Sequence, residues 1–135
     1  MKDQSRRFVT ANIIALIVTV ALLLFLFLYP RRYMEEMAAP IVLAAAAAEE
    51  AAISADWPEV EARIREIRSR FEAGKNTAKL FLNHEDVDEM DALIGAAERT
   101  AQVKDDAELL IHLERIGVTA EYLAGIETFD VTDLL

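Results

Sequence analysis

The sequence predicts an all-α protein with an N-terminal transmembrane helix followed by a three- to four-helix antiparallel bundle. Residues 8–29 contain no charged side chain and are bracketed by Arg7 on one side and Arg31 and Arg32 on the other. Beyond Arg32, apolar residues recur at steps of three and four, the period of an amphipathic helix. No stretch of useful length shows the alternation of a strand. The expected division is a short tail (1–7), a membrane span (8–29), a juxtamembrane linker or stalk (30–39) and an acidic helical domain (40–135).

At about 1.5 Å per residue, a helix over 8–29 is roughly 33 Å long, enough for a hydrocarbon core of about 30 Å. Most of its residues are Leu, Ile, Val or Phe, each favouring insertion by about 0.3–0.6 kcal/mol. Thr10, Asn12 and Thr19 subtract from this sum without reversing it. Asn12 lies near the entry end, where its amide can reach headgroups or a neighbouring helix. Tyr29 and Tyr33 fall where aromatic belts form.

A cleaved leader is the competing reading, because Lys2, Arg6 and Arg7 resemble its basic start. The apolar run exceeds the usual length of such a leader, and Tyr29-Pro30-Arg31-Arg32 follows it directly in place of a small-residue cleavage site. An uncleaved signal-anchor is therefore expected. Three basic residues before the span against two after it point to a cytoplasmic N-terminus, with the large domain extracytoplasmic at the cell membrane. Residues 33–135 carry 23 Asp and Glu against 9 Lys and Arg, a net of −14. Such a domain has no attraction for nucleic acid or for an anionic lipid surface. The absence of cysteine favours neither compartment.

The stretch after Arg32 is rich in alanine, with five in succession at 44–48. Alanine has the highest helix propensity and Pro40 suits a first turn, so Pro40 to Ile53 reads as a helix. Its small side chains bury little area, which predicts the most mobile helix of the domain. A continuous stalk rising from the span and kinked at Pro30 is equally allowed.

Asp56-Trp57-Pro58-Glu59 has the makings of a helix start: a capping carboxylate, an early proline and acids near the positive dipole end. Val60, Ile64, Ile67 and Phe71 then share one face. Arg63, Arg65, Arg68 and Arg70, interleaved with glutamates, read as an exposed face of weak ion pairs. The pattern falters at Gly74-Lys75-Asn76, where the helix bends or runs on to about Asn83.

Asn83 is the next cap, opening a helix with Val87, Met90, Ile94, Ala97 and Ala101 turned inward. Asp105 and Glu108 stand at capping-box spacing before the last helix, whose stripe is Leu109, Leu113, Ile116, Ala120 and Leu123, supported by Leu110, Tyr122 and Ile126. Phe129, Val131, Leu134 and Leu135 make the end too apolar for a free tail, so it is expected to fold back.

Among candidate sites, His84 and Asp88 share a helix face at i, i+4 within the cluster His84, Glu85, Asp86, Asp88, Glu89 and Asp91. Metal ligation by His84 and Asp88 needs further ligands from another element. The bland reading is compensation of the helix dipole by acids, and His112 is expected at a helix interface. With no Cys, no Gly-rich phosphate loop and no helical zinc-hydrolase spacing, no catalytic residue and no cofactor is expected. Trp57 either locks the turn between two helices or contacts a partner.

The chain resembles a family of small bacterial single-pass membrane proteins known only as an uncharacterised domain. The likeness rests on the N-terminal span, the Asp56-Trp57 pair opening a helix, the stretch His84, Glu85 and Asp88, and the apolar end at Asp133-Leu134-Leu135. It departs where Phe71 and Phe81 stand for the tryptophan that precedes the His motif in that family, and where Asp133 stands for an Asn. The resemblance implies an anchored extracytoplasmic helical bundle whose genes neighbour multi-pass membrane proteins. It implies no activity.

The expected function is that of a non-enzymatic accessory, scaffold or interaction subunit. Its partners would be the bilayer and another membrane or envelope protein, or a second copy docking through the alanine face. The alternative is a sensor bundle that takes up a cation or small molecule.

Overall fold

The computed structural model describes residues 2–125, with side chains from Phe8 onward. They form four α-helices: α1 (Lys2–Ile53), α2 (Trp57–Phe81), α3 (His84–Val103) and α4 (Asp106–Gly125). Each helix packs only on its neighbours in a ring, α1 on α2 and α4, and α3 on the same two. Short turns joining neighbours make this an up-down-up-down bundle. No strand occurs among the described residues.

The continuous stalk, one of the two readings allowed for residues 30–39, is the form found. Residues 2–7 and 30–39 are helical, so the span, the stalk and the alanine-rich segment are one helix of 52 residues that passes through Pro30 and Pro40. A proline inside a helix forfeits one hydrogen bond and crowds the preceding turn, at about 3 kcal/mol. Helix propensity on both sides and the packing of residues 30–53 on α2 and α4 outweigh that cost here. Pro30 itself is buried, and from it the buried positions run Met34, Ala38, Ile41, Ala45, Ala48 and Ala52 at steps of four and three. That stripe makes residues 30–53 the first helix of the bundle.

The alanine-rich segment is consequently no loosely packed outlier. Ala38, Ala44, Ala45, Ala48, Ala51 and Ala52 are all buried, and small side chains bring α1 close to both neighbours. Bulk comes from the other helices: Ile67, Phe71, Ile94, Leu109, Leu113 and Ile116 are fully enclosed, each worth roughly 1.5–3 kcal/mol on burial. At Gly74 of α2 the Met37 side chain of α1 occupies the space of a Cβ, with Met37 Cγ 2.9 Å from where that atom would lie. α2 runs unbroken past Lys75 and Asn76.

The caps follow the sequence reading. The Asp56 carboxylate accepts from the Glu59 amide (3.3 Å), the Asn83 side chain from Glu85 (3.3 Å), and Asp105 from Glu108 (3.2 Å). Both upper turns close α1 and α3 through a residue in the left-handed region, Ala55 (φ 56°) and Lys104 (φ 58°). In each, the following Asp amide donates back to a carbonyl five residues earlier, Asp56 to Ala51 and Asp105 to Thr100.

All predicted inward residues of α2, α3 and α4 are buried. Tyr122 is the exception among the supporting residues: it is exposed, because it precedes buried Leu123 by one position and points outward. Ile126, Phe129, Val131, Leu134 and Leu135, and with them the expected fold-back, lie outside the described residues.

Below the bundle, every side chain from Phe8 to Tyr29 is exposed. The most apolar window of this stretch has a mean hydropathy of 2.9 and none of it is buried in the fold. The segment is long and apolar enough to cross a membrane, and it is no core helix of the bundle.

Candidate functional site

Three surface features are built by this arrangement: an ionic seam between α2 and α3, an apolar groove between α1 and α4, and an aromatic cluster where the apolar segment meets the bundle.

The seam runs antiparallel, so numbers climb on α2 as they fall on α3. Arg68 Nε and Nη2 each donate to one Glu98 oxygen at 2.9 Å, and Nη1 donates to Asp91. Lys75 donates to the other Asp91 oxygen, with its Nζ 5.7 Å from the centroid of the Phe71 ring. Lys79 Nζ donates to Asp88 Oδ1 at 2.8 Å. Hydrogen bonds donated to Glu98 and Asp91 hold the Arg68 guanidinium more firmly charged than usual, against the opposing effect of burial. Lys75 and then Arg68 hold the Asp91 carboxyl below the usual carboxylate value, and Lys79 does the same for Asp88. Glu49 on α1 moves upward, through desolvation first and then Glu114 on α4.

These partners redraw two sequence readings. Arg68 is no member of the outward arginine row: its side chain is only 26 % exposed and reaches across to α3. Arg63, Arg65 and Arg70 pair with glutamates of their own helix, as Arg68 also does with Glu72 in addition to its partners on α3. The sequence signal that separates Arg68 from them is weak, namely acids on α3 at the matching antiparallel level. Asp88 of the candidate metal pair is engaged by an ammonium from α2. His84 stands exposed at the first position of α3, near enough to favour the Asp88 charge. Among the described residues no group of three or more His, Asp and Glu is placed to hold a metal ion.

Trp57 is half-buried and packs on the core at the α1–α2 turn, the position required for locking that turn. His112 lies on α4 with its Nδ1 buried and without a hydrogen-bond partner among the described residues, and its Nε2 is 3.6 Å from Glu108.

The groove between α1 and α4 has a volume of about 560 Å³ and is floored by Ala38, Ala39, Val42, Leu43, Ala124 and Gly125, with Glu35 and Glu121 at its rim. Nearby on the outer surface of α4, Ile111, Val118 and Tyr122 are exposed. At the junction, Phe25, Tyr29 and Tyr33 stack in succession up α1 with ring centroids 5.0 and 6.3 Å apart. The Phe81 ring, at the end of α2, meets Tyr29 edge-on at 6.3 Å.

In comparisons with known proteins, residues 28–134 match a family model described as a domain of unknown function (DUF4363). No curated protein and no solved structure matches.

Proposed function

The chain belongs to this family of unknown function, and on that premise we propose that it is a non-enzymatic, membrane-anchored display domain. It would serve as an accessory or scaffold subunit that presents its bundle to another membrane or envelope protein at the extracytoplasmic face. The observation that carries the reading is the unbroken α1: one helix is an apolar rod below Pro30 and a wall of the folded core above it. Enclosed Met34 follows the apolar segment within five residues, so removal of a leader at the small residues beyond it would strip the bundle of its first helix. That supports retention of the segment as an anchor. Fixed at one end, the bundle offers a groove and an outer α4 face of apolar side chains to a neighbour, and such patches mark interaction surfaces.

The test is purification of the full chain in mild detergent followed by identification of what accompanies it. A membrane or envelope protein retained in fixed proportion, and lost on substituting Leu43 or Val118 by Asp, is expected. A solitary monomer would overturn the reading. A reporter fused after Leu135 fixes the side of the membrane, and a cytoplasmic signal would reverse the assigned topology.

A further inference from the structure

We propose that the α2–α3 turn is a second membrane contact, with Leu80 seated in the headgroup boundary of a zwitterionic bilayer beside the point where α1 emerges. This inference rests on the anchoring reading above. The helix lengths require α2 to return to the foot of the bundle: residues 30–53 of α1 rise about 36 Å, and the 25 residues of α2 descend about 37 Å. The ring contact between Phe81 and Tyr29 fixes the same level independently, because Tyr29 lies at the end of the apolar run, two residues before Arg31.

At that level Leu80 is 78 % exposed, although its neighbours Ala78 and Leu82 are buried. Nothing in the bundle covers it among the described residues. The surroundings suit the boundary of a bilayer, where aromatic rings and snorkelling cations collect. Tyr29 and Phe81 supply the rings, while exposed Arg32, together with Arg31 in its pair with Glu35, supplies the cations. Lys79, next to Leu80, has its ammonium paired with Asp88, so little unpaired charge accompanies the leucine. Glu85 and Asp86 follow at the start of α3 and offset the two arginines. An uncharged headgroup layer therefore fits this end better than an anionic one. Two points of attachment, one spanning and one resting, hold the bundle upright where a single helix would leave it free to tilt.

The natural sequence has no cysteine, so single-cysteine variants report one position each. Leu80→Cys, Leu16→Cys and Ile53→Cys are labelled with an environment-sensitive fluorophore in the full chain and placed in phosphatidylcholine vesicles. A lipid quencher carried near the headgroup end of the acyl chain and aqueous iodide are then added separately. The expected result is lipid quenching at position 80 at least half as large as at position 16, with shielding from iodide, while position 53 at the far end of α1 shows the reverse. Position 80 behaving like position 53 while position 16 is quenched overturns the contact and leaves the anchor standing. Loss of lipid quenching at position 16 as well removes the anchor, and this inference with it. An unchanged melting temperature of the Leu80→Cys chain shows that the label reads the native turn.

Discussion

Replacing Arg68 by Ala tests whether the seam between α2 and α3 contributes to stability or merely decorates the surface. The substitution removes a two-pronged pair with Glu98, at 2.9 Å on both prongs, and the contact with Asp91. With 26 % of the Arg68 side chain and 36 % of that of Glu98 exposed, the pair lies at the edge of solvent. Exposed pairs couple by about 0.2–1 kcal/mol, and the forked geometry places this one near the upper end, at about 1 kcal/mol. Arg68→Ala should cost more, roughly 2 kcal/mol, because Asp91 and Glu98 then face each other with one cation fewer. For a bundle of about a hundred residues that amounts to a fall in Tm of roughly 8–16 °C. Helix melting followed by circular dichroism in detergent, on Arg68→Ala, Glu98→Ala and the double variant, isolates the coupling. It should shrink as salt is raised. Zero coupling, with Arg68→Ala melting within about 2 °C of the parent, would refute the claim that this guanidinium ties the two helices together.

Asp91 gives the seam a pH signature. Its folded-state pKa is depressed, so its contribution is complete above the unfolded value of about 3.9 and is lost as the pH falls through the folded value. Melting temperatures of the parent and Asp91→Asn should therefore differ at neutral pH and converge in acid, and parallel curves would contradict the pairing. Pro40→Ala restores one hydrogen bond inside α1 and should raise stability by about 1–2 kcal/mol after the greater freedom of the unfolded chain is counted, visible as a higher Tm. Ala55→Gly relieves a left-handed residue and should add about 1 kcal/mol, whereas the same change at buried Ala48 should destabilise. Trp57→Ala removes a half-buried ring from the α1–α2 turn and should cost roughly 2 kcal/mol; a normal melt combined with loss of a co-purified protein would move Trp57 from the turn to a partner.

The heptad-like stripes of α2, α3 and α4 were legible in the sequence because each is written in large apolar residues at steps of three and four, closed off by Asp56, Asn83 and Asp105. The stripe of α1 was not, because it is written in alanine. An alanine facing the core and one facing water look alike until the neighbouring helices are present. Pro30 and Pro40 compounded this, since local chemistry left a boundary and a continuous stalk equally open, and the choice between them is made by the packing of residues 30–53 on the neighbouring helices. Arg68 was hidden for a related reason: four arginines on one helix are equivalent locally, and the choice among them is made by carboxylates some thirty residues away. The left-handed Ala55 and Lys104 carried no signal, as glycine is the residue that would have announced them.

The unbroken course of α1 from the apolar segment into the folded domain fixes how the bundle is turned about that helix. One residue added between Tyr29 and Pro30 would swing the bundle by about 100° around the α1 axis and shift it by about 1.5 Å along that axis. The groove beside α4 would then look away from whatever it had faced. Insertions at that joint thus preserve the facing of the groove only in whole helical turns, and its bearing relative to the apolar segment is encoded by the phase of a single helix.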